Sequence, residues 1–215
     1  MKSTEKLPKK RARREHRIEA ILAAAEAVFL ERGYEATSLD AVARRANASK
    51  ATIYAHFGSK LGLFEAIIQN VIAQVQVPLQ APGSMPAQEA LTRFGAGFLT
   101  FMTSPGPLAF YRLLVTKGPD MPELAQLWFT NGPRRIIGIV GAYLEDRTRA
   151  GELDVPEPEL AAEFFLMSLR GIIHLQALTG LIKPPFDALI AAKVRAAVTM
   201  FLRAYGKTPA RRPRP

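Results

Sequence analysis

The sequence contains no cysteine and only three histidines, His16, His56 and His174, which lie far apart in the chain. The lack of cysteine excludes a disulfide scaffold, a thiol nucleophile and cysteine-ligated zinc. The wide spacing of the histidines argues against a histidine metal cluster. We therefore expect neither a metal nor another cofactor.

Long apolar runs are also missing. The longest uncharged apolar stretches, such as residues 136–144, fall well short of the roughly 18–20 residues that a membrane-spanning helix needs. The apolar positions after the basic start are interrupted by Glu19, Glu26 and Glu31, so this segment predicts an amphipathic helix and not a signal peptide. We expect a cytoplasmic protein that does not act in a membrane.

Basic residues outnumber acidic ones towards both ends of the chain, which carries a formal net charge of +10. Residues 1–60 contain 13 basic and 7 acidic side chains, residues 61–206 contain 12 of each, and residues 207–215 contain 4 basic and no acidic ones. A neutral body with basic ends predicts that the N-terminal third meets a polyanion. Charge alone leaves nucleic acid and an acidic membrane surface both open.

Apolar residues recur with a helical period between clusters of proline and other turn-forming residues, and no run alternates with a period of two. This pattern predicts an all-α fold. The composition, with 48% hydrophobic and 22% charged residues, is that of a globular protein. At about 100–200 residues per domain, 215 residues allow one domain or two small ones.

The first predicted helix covers residues 13–32 and carries a single apolar stripe. Gly33 stands where a left-handed C-terminal cap belongs. Another helix is predicted to begin after Ser59, which caps it, and to end at Pro78.

Two short helices are predicted between these longer ones. Thr37 is expected to cap the first of them, which ends near Arg45, and Asn47 tolerates the left-handed conformation in the turn that follows. Ser49 is expected to cap the next helix, which ends near Phe57. Two short helices joined by a three-residue turn predict a helix-turn-helix, and three ordinary helices of a bundle are the alternative.

Residues 33–64 read GYEATSLDAVARRANASKATIYAHFGSKLGLF, and this segment resembles the DNA-binding domain of the TetR family of bacterial repressors. The matching motifs are Gly33-Tyr34, Thr37-Ser38, Val42-Ala43, Asn47-Ala48-Ser49, and Thr52-Ile53-Tyr54-Ala55-His56-Phe57 with Lys60. Asn47 stands where that family usually has glycine. The motifs YRLL, PELAQLWF, GPRR and PELAAEFFLMSLRG, within residues 110–171, look like the AefR-like branch of the family.

The resemblance implies a ligand-responsive transcriptional regulator and not an enzyme. It implies a repressor that binds a palindromic operator in double-stranded DNA as a homodimer, and that a small, mostly apolar effector releases. Such a protein is expected in the bacterial cytoplasm, at the nucleoid. The expected organisation is a disordered basic arm over residues 1–12, a helix-turn-helix domain over 13–60, a linking helix over 59–78, a helical effector-binding and dimerisation domain over 79–206, and a disordered basic tail over 207–215.

The candidate DNA contacts lie on the two short helices and at the next helix start. Helical angles place Ile53 and Phe57 in the core and Ala51 on the outward side, where a small side chain lets the backbone approach the major groove. Lys50 and Thr52 are the candidates for base contacts. The resemblance implies that the DNA backbone is contacted by Tyr54, His56 and Lys60. Thr37 and Ser38 are further candidates, because they stand at the start of the second helix and helix N-termini attract phosphates.

The rest of the chain is apolar and rich in aromatic residues, and the resemblance implies an effector pocket there. The candidate pocket residues are Phe98, Phe101, Tyr111, Trp128, Phe164, Met167, Arg170 and His174. Arg170 and His174, four residues apart in an apolar helix, are polar anchors for a ligand or paired groups at a subunit interface.

The last two helices are predicted over residues 157–179 and 186–205, and the first of them is apolar on more than one face. The resemblance implies that they form a four-helix interface with a second copy of the chain. The candidate interface residues are Leu175, Leu178, Ile190, Val194, Val198 and Phe201. The alternative is that this stripe packs inside its own subunit.

Two other functions are weighed against DNA binding. One is a helical bundle that binds or transforms an apolar small molecule, but the sequence shows no nucleophile–base pair or carboxylate cluster that points to catalysis. The other is a protein that binds membrane surfaces through its basic arm.

Overall fold

A computed structural model describes residues 6–73, 85–184 and 186–207 of the chain. The described residues form α helices, a short π-helical segment over Thr130–Arg134 and one isolated antiparallel bridge between Leu153 and Gly206, which confirms the all-α prediction. The helices are α1 (Lys6–Ala36), α2 (Leu39–Arg45), α3 (Lys50–Phe57), α4 (Lys60–Ala73), α5 (Ala87–Met102), α6 (Pro105–Lys117), α7 (Pro122–Phe129), α8 (Arg135–Arg149), α9 (Pro158–Leu178) and α10 (Asp187–Tyr205).

Helix α1 begins earlier than the sequence analysis predicts. Residues 6–12 are helical, so the predicted disorder of the arm is wrong for them, while residues 1–5 lie outside the described residues. Lysine, arginine and alanine are good helix formers, and Pro8 falls in the first turn, where its missing N–H costs no hydrogen bond. Gly33 interrupts the helix with φ 77°, which confirms the predicted left-handed glycine.

The described residues cluster into two compact units. The first contains α1–α4 together with residues 112–132, and the second contains α5, α8, α9, α10 and residues 105–111. Residues 112–132 fall within the predicted effector-binding domain, whereas the structure packs α7 against α4 in the first unit. The predicted end of the linking helix at Pro78 and most of the basic tail lie outside the described residues.

The core of the first unit is an aromatic cluster at the junction of α1 and α4. The Tyr34 ring stacks on Phe29 with ring centroids 5.5 Å apart, and Phe64 meets both rings edge-on. Ile53 of α3 is also buried, with 1% of its surface exposed. The buried aromatic area explains why the Gly33-Tyr34 motif stands at the end of α1.

The second unit is built around α9, which packs against α5, α8 and α10. Its bounds and those of α10 confirm the prediction to within one residue at each end. Gly95 lets α5 lie close to α9 and α10, because a Cβ at this position would lie 3.0 Å from Leu169 of α9 and 3.2 Å from Val194 of α10.

The stripe on α10 that is predicted to meet a partner is part of this core. Its four residues, Ile190, Val194, Val198 and Phe201, are all buried within the chain itself. Their assignment to a dimer interface is therefore wrong, and the alternative of internal packing holds. The sequence pattern is the same in both cases, because an apolar stripe does not reveal which surface covers it.

Helix α9 carries a second apolar surface that its own chain leaves uncovered. This outer face of α9 consists of Leu160, Phe164, Met167, Ile172 and Leu175. Phe164 is 57% exposed. The next helix, α10, packs against α9 and exposes Leu189 and Met200 together with Ala192 and Ala196. Large apolar side chains left exposed in such number are typical of an interaction surface.

Candidate nucleic-acid interface and effector site

Side-chain caps define both helices of the helix-turn-helix. Ser38 caps α2 by accepting a hydrogen bond from the Ala41 amide at 3.2 Å, and Ser49 caps α3 by accepting one from the Thr52 amide at 3.0 Å. Asn47 adopts φ 48° in the turn between them. These findings confirm the predicted turn and the Ser49 cap, and they make Ser38 the cap of α2 in place of Thr37.

The turn between α3 and α4 brings two stretches of backbone into close contact. Ser59 caps α4, as predicted, by accepting a hydrogen bond from the Gly62 amide at 2.9 Å. A Cβ at position 62 would overlap the carbonyl oxygen of Phe57, the last residue of α3. Glycine is therefore the residue that lets the end of α3 lie against the first turn of α4.

The outward side of α3 is formed by small and polar side chains. Lys50, Ala51, Tyr54 and Ala55 are exposed, with Tyr54 at 49%, while Thr52 and His56 are half-buried at the edges. Phe57 is also half-buried, although the sequence analysis places it in the core. An exposed helix with alanines on its outer surface fits the dimensions of the DNA major groove.

Lys50 is held across the two helices by an ion pair. Its Nζ donates to Asp40 Oδ2 at 2.8 Å, and this hydrogen bond raises the pKa of the lysine. Both side chains are about half exposed. The pair holds the Lys50 ammonium beside the shallow depression between α2 and α3. An oxygen atom of DNA must therefore compete with Asp40 for this ammonium group.

The ammonium group of Lys60 is bound by backbone carbonyls of the first unit. Its Nζ donates to the carbonyl oxygens of Tyr34, Glu35 and Thr37 at 2.8, 3.2 and 3.1 Å. The same atom lies 4.5 Å from the centre of the Tyr34 ring. All three N–H donors are used. Lys60 thereby ties α4 to the end of α1 in the DNA-free chain, and its contact with DNA stays a prediction.

Thr37 is removed from the DNA-facing surface. It is buried, and its hydroxyl donates to the carbonyl of Gly33 at 2.7 Å and approaches that of Val28 at 3.4 Å. Its predicted contact with DNA is wrong because the side chain closes the end of α1. Arg44, which sequence reasoning missed, is exposed and lines the same shallow depression as Asp40, Asn47 and Lys50. A basic residue just before the turn is the signal that identifies it.

Only part of the predicted effector pocket comes together within the second unit. Tyr111, Arg170 and His174 form a contact cluster, and Phe98 is buried with its ring stacked on Phe94. Phe164 and Met167 lie on the outer face of α9, so their assignment to the pocket is wrong. The two remaining pocket candidates, Phe101 and Trp128, are half-buried, and Trp128 belongs to the first unit. Leu178, a candidate for the dimer interface, is also half-buried.

In the Tyr111 cluster, the Arg170 guanidinium donates to the Tyr111 hydroxyl at 3.0 Å. The His174 ring meets the Tyr111 ring edge-on, with centroids 5.1 Å apart. His174 is 3% exposed, and its Nε2 is buried without a hydrogen-bond partner. Burial, together with the positive charge of Arg170, lowers the pKa of His174 to about 4.

We expect the stability of the chain to fall as the pH drops below about 6.5. The unfolded chain binds a proton on His174 with an ordinary histidine pKa, whereas the folded chain resists protonation until the pH approaches 4. This difference costs about 2 kcal/mol of stability by pH 5. Urea unfolding of the wild type and of His174→Gln between pH 7 and 5 measures it. An equal pH dependence in both proteins would contradict the burial of a neutral His174.

Comparisons with known proteins agree with this architecture. A family model described as bacterial regulatory proteins, tetR family, matches residues 21–67, and one described as AefR-like transcriptional repressor, C-terminal domain, matches residues 89–207. The HTH-type transcriptional regulator EthR of Mycobacterium tuberculosis is 30% identical over 155 residues, which are 70% of this chain and 71% of EthR.

Two further relatives cover different lengths of the chain. The HTH-type transcriptional activator FasR of Mycolicibacterium smegmatis is 41% identical over 71 residues, which are 31% of this chain and only about a third, 32%, of FasR. The solved structure of the flavonoid-responsive regulator FrrA is 32% identical, with a TM-score of 0.74, and the match covers 91% of this chain and 100% of FrrA.

The fold and the α2–α3 surface define a helix-turn-helix transcriptional regulator with a DNA-binding N-terminal domain and a helical C-terminal domain, and not an enzyme. The chain belongs to the TetR family, and its C-terminal part is AefR-like. Within the described residues, every helix is too short or too polar to cross a membrane.

Proposed function

We propose that the chain is a homodimeric repressor that binds a palindromic operator and leaves it when a small, mostly apolar effector binds. The observation that carries DNA binding is the outward side of α3, which is exposed, held by caps at its start and flanked by cationic side chains. The AefR-like C-terminal match supports repression, and activation, the role in FasR's name, is the alternative. The proposed place of action is the bacterial nucleoid in the cytoplasm.

The proposed DNA contacts divide into two groups. Lys50, Thr52 and the methyl group of Ala51 are proposed to meet base edges in the major groove, because they lie on the exposed first turn of α3. The proposed contacts to the sugar-phosphate backbone are Ser38, Tyr54, His56 and, from the structure, Arg44.

The proposed dimer uses the outer face of α9 and the exposed side of α10. Phe164 and Met167 supply large apolar side chains, and Ala192 and Ala196 of α10 leave room for close approach. In a two-fold dimer the same surface of both copies forms the interface, so each of these positions contributes one buried apolar side chain from each copy. Leu175 remains a candidate for this interface, because it is exposed on the same face.

The proposed effector binds the second unit, whose core is rich in aromatic residues. The match with FrrA over almost the whole chain supports a small aromatic compound, since that protein responds to flavonoids. Binding releases the operator if the effector prefers a conformation whose two helix-turn-helix units no longer fit it.

Selection of bound fragments from the DNA of the source bacterium tests this function. The 215-residue chain is incubated with sheared genomic DNA, and the retained fragments are sequenced. We expect a shared palindrome, and a duplex that contains it to bind at least about a thousand times more tightly than a scrambled duplex. Tight binding to anionic phospholipid vesicles at the same salt concentration, without enrichment of any DNA sequence, would contradict the proposal.

Asp40→Asn is expected to strengthen binding to DNA of any sequence. The change removes a negative charge beside the proposed contact surface and frees Lys50 from its ion pair. We expect affinity for a scrambled duplex to rise about three- to tenfold at low salt. Fluorescence anisotropy at two salt concentrations measures it. Glu65→Gln, the same charge change on α4, is the matched control. An equal gain in both variants would mean that the change in net charge alone strengthens binding, and would contradict a role for the release of Lys50.

A further inference from the structure

Two side chains of opposite charge border the apolar surface of α9 and α10. Glu163 of α9 and Arg203 of α10 are both exposed. The ion pairs found in residues 6–73, 85–184 and 186–207 involve neither of them. Each therefore brings a charge to this surface that an ion pair in its own described chain does not neutralise.

The packing of α9 on α10 fixes which of their residues lie at the same level. The ring centroids of Phe165 and Phe201 are 5.1 Å apart. Further along α9, a Cβ at Gly171 would lie 2.8 Å from the Nζ atom of Lys193 on α10. Because residue numbers rise along α9 and fall along α10 between these two contacts, the helices are antiparallel. Residues two positions before Phe165 and two positions after Phe201 therefore share a level.

Glu163 and Arg203 occupy this shared level at opposite edges of the apolar surface. Glu159, one turn before Glu163, lies against Gly141 of α8, so Glu163 is on the side of α9 that faces α8. Arg203 lies on α10, three residues after the exposed Met200 and therefore on the same face as it. Helix α9 contacts both α8 and α10, so its exposed apolar side chains lie between the two charges. This separation explains why the two charges do not pair within one chain.

Beside Arg203, the exposed side of α10 forms a shallow depression. Its volume is about 490 Å³, and its lining residues are Ala192, Arg195, Ala196, Thr199, Met200 and Arg203. The two alanines leave room for a large apolar side chain, and the two arginines make the depression positively charged. Helix α9 carries Phe164 and Met167 at the corresponding levels, next to the carboxylate of Glu163. The two surfaces are therefore complementary in size and in charge.

We propose that the depression on α10 receives α9 of a second copy of the chain, and that Glu163 of one copy pairs with the partner's Arg203. A two-fold axis along the helices exchanges the two edges of the surface and keeps every level. It therefore brings each Glu163 to the partner's Arg203, twice in one dimer. An axis across the helices would keep the edges and exchange the levels. This inference rests on the proposed homodimer and names the contacts by which one copy selects another.

Charge reversal on either side tests the pairing. Glu163→Arg and Arg203→Glu each place like charges at both contacts, so we expect the dissociation constant of the dimer to rise about tenfold or more. Both positions are exposed, and circular dichroism melting checks that the variants fold. Sedimentation velocity on the 215-residue chain without DNA measures the constant. Arg32→Glu and Glu35→Arg make the same reversals at exposed positions of the first unit, and are expected to keep the wild-type value.

A mixture of the two variants distinguishes pairing between copies from pairing within one copy. In a heterodimer of Glu163→Arg with Arg203→Glu, the introduced arginine meets the introduced glutamate, and the native glutamate meets the native arginine. We therefore expect the mixture to form heterodimers with about the wild-type dissociation constant, which native mass spectrometry identifies by mass. The double variant Glu163→Arg/Arg203→Glu is expected to recover the homodimer.

Two results would overturn the pairing and leave the proposed function standing. In the first, both single reversals keep the wild-type dissociation constant. In the second, the reversals weaken the dimer but the mixture stays monomeric. A wild type that remains monomeric even on its genome-selected operator would refute the proposed homodimer together with the pairing. A dimer that mixing restores, but that selects no DNA sequence, would support the pairing and refute the proposed function.

Discussion

Phe164→Glu is expected to leave the chain folded but convert the proposed dimer to a monomer. Phe164 is 57% exposed on the outer face of α9, so a glutamate is solvated in the isolated chain. In the proposed dimer it is buried without a counter-ion, and two-fold symmetry places two such charges in one interface. We expect the dissociation constant of the dimer to rise by a factor on the order of a thousand or more. Sedimentation velocity and operator titration measure the loss.

Two matched variants locate the effect. Val115→Glu introduces the same charge at an equally exposed apolar residue of α6, outside the proposed interface, and is expected to leave the dimer intact. Val194→Glu places the charge in the core of the second unit, where the residue is 1% exposed, and is expected to unfold the chain. A Phe164→Glu protein that remains dimeric at nanomolar concentration would place the interface elsewhere.

Lys60→Met is expected to lower the stability of the first unit by about 4 kcal/mol. The change removes three charge-assisted hydrogen bonds to the carbonyls at the end of α1, and the contact of the ammonium group with the Tyr34 ring. Operator affinity should fall because α3 is no longer held in place. Thermal unfolding measures the loss of stability, and titration at several salt concentrations gives the slope of log K against log salt.

The slope distinguishes a positioning residue from a phosphate contact. If Lys60 acts through α1, the slope of Lys60→Met stays at the wild-type value while stability falls. A phosphate contact would instead reduce the slope by about 0.9 at unchanged stability, and that result would contradict the role assigned here. Lys50→Met is the control for stability, because this exposed lysine pairs with Asp40 alone and its loss is expected to cost less than about 1 kcal/mol.

The helix-turn-helix was predictable because its signals are local. Ser49 and Asn47 act through the backbone of their own turns, so their residue types indicate a cap and a left-handed residue before any packing is known. The start of α1 differs from the prediction because a run of basic residues has no apolar stripe that indicates a helix, although lysine, arginine and alanine favour one.

The tertiary roles were not predictable in the same way. Lys60 reaches carbonyls more than twenty residues earlier in the chain, so nothing in its neighbourhood shows that its donors are occupied. The two apolar sides of α9 and α10 pose a similar problem. Val194 and Phe164 are both apolar at helical spacing, and only the packed unit shows that the first is covered by its own chain and the second is not.

The close fit at Gly62 has a geometric consequence for how movement reaches the operator. Because the end of α3 lies directly on the backbone of α4, the two helices are expected to turn together as one rigid piece. The 14 residues of α4 span about 21 Å. A tilt of about 10° around the far end of α4 would then carry α3 sideways by about 3.6 Å, which is close to the ~3.4 Å rise of one base pair. A small rotation of α4 would therefore move α3 by a distance close to the spacing of one base pair.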